Sequence, residues 1–182
     1  MFQIAAQRSA FPARLALLLA ASLSVGAQSS RVPGLYATGL SDAGTLLEPG
    51  AQDPHWELTG SPDASYPGPV TRVVEDGFPI PPWLANSQES RWIGPRSDAG
   101  AGGAAGDYTY TTRFSLADFD PSTAVLTGRW SSDNSGVDIL LNGVSQGLAN
   151  DGNFGGFSPQ FEIRSGFVDG LNTLAFVVNR TT

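Results

Sequence analysis

Apolar and polar positions in this chain alternate with a period of two wherever a pattern is clear. In "DYTYTTRFSL", Tyr108, Tyr110, Thr112 and Phe114 share one face, while Thr109, Thr111, Arg113 and Ser115 share the other. Successive side chains of an extended chain point to opposite faces, so this alternation predicts a half-buried strand. "AVLTGRW" follows after the turn "DFDPS", and "VDILL" and "VSQG" flank Asn142-Gly143. "PQFEIRSGF" is a strand whose Pro159 points to an edge or a strand start. "NTLAFVVN" alternates Leu174, Phe176 and Val178. In the first half, "HWELT", "VTRVV" and "RWIG" fit strands. Between them, Pro79, Pro81 and Pro82 in "GFPIPPWLANSQES" forbid a ladder and impose an extended loop. "AGAGGAAG" (99–106) is a loop of small residues. Past the first 27 residues no segment sustains an apolar 3.6 period, so the pattern predicts an all-β protein.

The first 27 residues follow another rule. Arg8 and Arg14 form a positive region, Leu15 to Val25 is an apolar run, and Val25-Gly26-Ala27 offers a small-residue cleavage site. This is the layout of a secretory signal peptide, with cleavage expected near Ala27 and no membrane span left afterwards. The remaining 155 residues are expected to form one domain. A chain of that length buries about 70% of its unfolded surface, so the absence of cysteine is no obstacle to a core. Without lysine or cysteine, Schiff-base, Walker-lysine and thiol chemistries are excluded. Past residue 27 the chain carries eight arginines against 17 acids, a balance that disfavours nucleic acid and anionic membranes as partners.

"GVSQG" (143–147) matches G-x-S-x-G and would make Ser145 a hydrolase nucleophile. That elbow needs a helix after the serine and a histidine later in the chain. "QGLANDGNFGGF" follows instead, and the lone histidine, His55, lies earlier. Asn142-Gly143 between apolar runs predicts a two-residue hairpin turn, which puts Ser145 on the returning strand. A serine hydrolase is the remote alternative. "GAGGAA" (100–105) precedes a strand pattern, so the dinucleotide reading is dismissed. In "SSDNSGVD" the oxygens of Asp133, Ser135 and Asp138 are weak candidates for calcium, the bland alternative being an Asx-rich turn. Asp118 and Asp120 have the same two readings on a weaker case. No cofactor is otherwise expected. Trp92 and Trp130 lie in strand patterns and read as core, whereas Trp83, in the proline-rich loop, is the candidate for an exposed sugar platform. His55 reads as a structural hydrogen-bonder. The sequon "NRT" (179–181) falls at a strand end and is discounted.

Three pieces in order, "TTRFSL", "VDILLNGVSQG" and "GLNTLAFVVN", resemble the galactose-binding-like jelly roll. That β-sandwich occurs as the amino-terminal domain of retaining β-galactosidases and in many carbohydrate-binding modules. The chain, including "DPHWELTGSPD", "FPIPPWLAN" and "RWIGP", also looks like secreted bacterial proteins of the PEP-CTERM-sorted kind. It departs from them in lacking the Pro-Glu-Pro tail and, after "VVNRTT", the jelly roll's last strand. The resemblance implies an antiparallel jelly-roll β-sandwich over 28–182. It also implies a secreted or cell-surface, non-catalytic module for glycan or exopolysaccharide, with Trp83, Asp133, Asn134 and Asp138 as ligand contacts. The alternative is a structural surface or matrix component without a small ligand. A missing strand would leave an open sheet edge and favour self-association.

Overall fold

The computed structural model describes residues 2–10, 32–75, 77–150 and 154–181, with residues 2–10 described by their backbone alone. The fold is all-β. In chain order the strands are β1 (Phe2–Ala10), β2 (Gln52–Gly60), β3 (Val70–Val73), β4 (Ile93–Gly94) and β5 (Gly106–Ser115). They continue as β6 (Val125–Ser132), β7 (Ser135–Leu141), β8 (Val144–Ser145), β9 (Phe161–Ile163) and β10 (Leu171–Arg180). Two single 3-10 turns, Ala99–Ala101 and Pro121–Thr123, are the helical elements among the described residues. Asp120 caps the second, its Oδ1 accepting from Ser122 N at 3.0 Å and Ser122 Oγ at 2.7 Å. That is the Asx-turn use of this residue.

The strands run in the order β8-β7-β10-β5-β2-β3-β4-β1-β6-β9, and every neighbouring pair is antiparallel. Register carries the core. Leu58, Tyr110, Phe176 and Ile139 lie opposite one another across β2, β5, β10 and β7, and each is at most 1% exposed. Leu141, Leu174 and Thr112 form the next row. The predicted inner face of β5 (Tyr108, Tyr110, Thr112, Phe114) is buried throughout.

The sheet curls onto itself. β6 and β10 are six neighbours apart, on the order of 29 Å across a flat sheet at about 4.8 Å per strand. Yet the Trp130 ring on β6 sits 5.2 Å from that of Phe176 on β10, and Phe161 on β9 lies 6.2 Å from the same ring. The two ends of the order therefore face each other across one core, which is the layering of a β-sandwich. Gly136 on β7 makes the approach possible. A Cβ there would fall within 2.8 Å of Cζ2 and Cζ3 of Trp130.

Trp56 and Trp130 lie in this core, whereas Trp92, equally buried, anchors a loop. Its Nε1 donates to Leu84 O at 2.7 Å, and its backbone N–H donates to Asn86 Oδ1 at 3.0 Å. The hairpin at 142–143 has the expected conformation, with φ of 52° at Asn142 and 79° at Gly143. β9 is an edge strand, as Pro159 suggested. The predicted leader is described only at Phe2–Ala10, which forms β1 between β4 and β6. The expected cleavage point near Ala27 lies outside the described residues.

Candidate functional site

A depression among the described residues lies where β5 begins and β10 ends. Register Val178↔Tyr108 and Arg180↔Gly106 puts the first half of β5 beside the last turn-facing residues of β10. Tyr108 enters from β5 and Arg180 from β10. Asp133 comes from the β6–β7 turn, Arg96 from the loop after β4, and Asp63 and Tyr66 from the loop after β2. The cleft they enclose is about 40 Å³. At roughly 10–15 Å³ per water-sized group, that admits the edge of a ring and its substituents.

The loop of small residues forms one wall. Arg180 Nε donates to Gly103 O at 2.9 Å, and Tyr108 OH donates to Ala104 O at 2.8 Å. Asp63 Oδ2 accepts from Ala104 N at 3.3 Å, while its Oδ1 accepts from Ser65 N at 2.9 Å. A Cβ on Gly102 would lie 3.0 Å from an Arg180 nitrogen, and one on Gly103 would lie 3.0 Å from the Tyr108 hydroxyl. The glycines thus allow backbone to press against both side chains. Above the opening, the Arg96 guanidinium sits 5.2 Å from the centroid of the Tyr66 ring, a cation–π distance, with Asp98 at 3.3 Å.

Electrostatics ties the wall together. Burial raises the pKa of the Tyr108 phenol, and the Asp63 charge raises it further while Arg180 lowers it. Tyr110, fully buried beneath, is raised by burial and then by Tyr108. Both phenols stay protonated at neutral pH, and that of Tyr108 donates to Ala104 O. The cleft holds two arginines and two aspartates, so it offers paired donors and acceptors without a dominant sign.

Among the residues singled out from sequence, the structure brings Asp133 alone to this cleft. Asn134, beside it, is spent on structure: its Oδ1 accepts from Thr181 N at 3.0 Å, which ties the β6–β7 turn to the end of β10. Asp138 lies away in the hairpin, its carboxylate accepting from Ile139 N (2.7 Å), Leu148 N (3.0 Å) and the Ser145 hydroxyl. Burial acts to raise its pKa, but the bonds from Ser145, Leu148, Ile139 and Gly147 prevail and lower it. Trp83 is half-buried where an exposed platform was expected. Its ring packs 5.0 Å from Phe154 and 5.9 Å from Phe78, because the proline-rich loop folds down and not outward. This trio abuts the same small-residue loop from outside, since Gly100 lies against Phe78. Among the described residues no group of three or more His, Asp or Glu side chains could hold a metal. Of the three sequence candidates for calcium, Asp133 lines the cleft and Asp138 belongs to the β7–β8 hairpin.

Ser145 is exposed on β8 and is followed by irregular chain. His55, on β2, is four strand neighbours from β8 in the sheet. It stacks on Tyr36 at 3.6 Å, and its Nε2 lies 3.4 Å from Asp42. No family model matches the chain. No curated protein and no solved structure matches it either.

Asp63, Tyr66, Arg96, Tyr108 and Arg180 carry no motif that marks them in the sequence. Tyr108 read as core because its position in the alternation is inward, and the others stand singly in unpatterned text. The one available signal was the glycine run next to a strand start, since such loops permit close backbone approach.

Proposed function

We propose that this protein is an exported, non-catalytic binding module that takes a glycan in the cleft between β5 and β10. The observation that carries the reading is the convergence there of the Tyr66 and Tyr108 rings with Arg96, Arg180, Asp63 and Asp133. Sugars are recognised by apolar ring faces against aromatic planes, with hydroxyls paired to fixed donors and acceptors. Guanidinium forks and carboxylates supply both kinds of partner. The jelly-roll resemblance supports the same ligand class, and the curled antiparallel sheet supports a fold of that type. Export rests on the leader-like first 27 residues. A binding role is preferred to hydrolysis because Ser145 spends its hydroxyl on Asp138, four strands from the lone histidine.

A glycan array probed with the exported protein tests the reading, followed by calorimetric titration of any hit. Tyr66→Ala and Arg180→Ala are expected to weaken binding at least tenfold while leaving the fold intact by circular dichroism. Trp83→Ala tests the aromatic trio as a second contact. A folded protein that binds no glycan on the array overturns the proposal.

A further inference from the structure

β6 has two hydrogen-bonding edges with very different partners. One pairs with β9 over only three positions, Leu126↔Ile163, Thr127↔Glu162 and Gly128↔Phe161. The other pairs with β1 from Phe2↔Ser132 to Ala10↔Val125, with one register shift between Ala5 and Arg8 opposite Gly128. β1 touches its second neighbour, β4, at the single pair Phe2↔Ile93. Among the described residues β1 is therefore the link between the run β8 to β4 and the pair β6-β9. It is also part of the segment that reads as a cleavable leader.

The terminal edges of the sheet are blunted by shortness: β8 has two residues and β9 has three. β6 has no such protection. Its sequence "VLTGRWSS" is eight residues long, contains no proline and carries one charge, Arg129. A long edge without proline, bulge or repeated charge is a template for another strand. Beneath it lies the core, since Leu126 and Trp130 are each 1% exposed.

We propose that β6 is a strand-acceptor edge, and that in the exported protein its occupant is β6 of a second copy. The inference rests on the export reading, because loss of residues 1–27 is what frees the edge. Self-pairing is favoured by the pattern of β6 itself. Antiparallel pairing about a twofold axis through Gly128 sets Leu126 opposite Trp130 of the partner on the inner face. It sets Thr127 opposite Arg129 of the partner on the outer face. Inner residues then meet inner residues, no two like charges oppose each other, and the contact closes as an isologous dimer. Shifting the axis to Arg129 would oppose two arginines, and shifting it by half a residue would place inner faces against outer ones.

The full chain, exported by its own leader from a bacterial host, tests this. The processed protein is expected to show twice the monomer mass by light scattering. An excess of synthetic peptide with the sequence of residues 2–10 is expected to halve that mass. The chain has no cysteine, so thiols report cleanly. The double variant Thr127→Cys with Arg129→Cys is expected to form a covalent dimer on oxidation, because opposed Cα atoms lie within bridging distance. Either single variant leaves its own thiols two residues out of register and is expected to stay uncrosslinked. A processed monomer, an aggregate, a dimer that crosslinks without regard to register, or exported protein still beginning at Met1 overturns the inference. Glycan binding is scored separately on the same sample. A register-specific dimer that binds no glycan overturns only the binding proposal.

Discussion

Two glycines show how differently one residue type serves this fold. Gly143 is required for its φ of 79°, with nothing within 4 Å of where a Cβ would stand. Gly136 has no positive φ and is required for space, because the Trp130 ring occupies the position of its side chain. Gly143→Ala should therefore cost about 1–2 kcal/mol from backbone conformation alone. Gly136→Ala should cost about 1–3 kcal/mol from overpacking. Urea titrations of each variant in the Trp130→Phe background separate the two causes. The Gly136 penalty should shrink when the ring shrinks, while the Gly143 penalty should be additive. Equal additivity in both would show that Gly136 is not where Trp130 sits. Asn172, fully buried, is held by hydrogen bonds instead: its Oδ1 accepts from Val168 N and Asn142 Nδ2, and its Nδ2 donates to Val168 O and Gly170 O. Asn172→Ala strands several of these groups and should cost at least about 2 kcal/mol in the same assay.

At the scale of the element, the β7–β8 hairpin is held from two sides. Asn142 at its tip bonds Gly166 O, Thr173 N and Asn172, which clamps the turn to the strand start of β10. Asp138 at its base gathers Ser145 and the backbone of Leu148. The lowered Asp138 pKa means that its ionised form is favoured in the folded state. Its contribution is fully present above the unfolded value of 3.8 and is lost as pH falls through the lower folded value. Asp138→Asn should therefore melt lower than the parent at pH 7, with the gap closing in acid well below pH 3.8. A gap that persists unchanged at the acid end would assign the effect to lost packing. Asp53 runs the other way: burial raises its pKa, so it favours the fold most in acid and that advantage declines as pH rises above 3.8.

For the whole molecule, the Phe176 ring of β10 packs against aromatic rings of both layers. Phe176 meets Trp56 at 5.7 Å, Trp130 at 5.2 Å and Phe161 at 6.2 Å. Phe176→Ala should cost about 3–5 kcal/mol and expose tryptophan, read as a red-shifted emission at lower urea. An unshifted midpoint would mean that the layers do not close on this ring. Export makes a separate demand. Amino-terminal sequencing of secreted protein should begin at or within a few residues of Gln28, and a start at Met1 would remove the basis for a freed β6 edge.

What the sequence determined by itself is local. The alternation in β5 and β10, the Asn142-Gly143 turn, the edge position announced by Pro159 and the burial of Trp92 and Trp130 all depend on neighbours a few residues away. Period-two patterning names the inward face of a strand, and a turn with positive φ names its residues. It does not name which strand lies alongside, because every inward face in an all-β chain is apolar in the same way. The order of the sheet, the curl that brings Trp130 onto Phe176, and the entry of Phe2–Ala10 beside β6 were decided by packing over the whole chain. The candidate site belongs to that second class. Asp63, Arg96, Tyr108, Asp133 and Arg180 come from five separate stretches of sequence, and none is in a motif with any other. Only the paired register of β5 and β10, with a glycine loop thin enough to press against them, puts their polar groups around one opening.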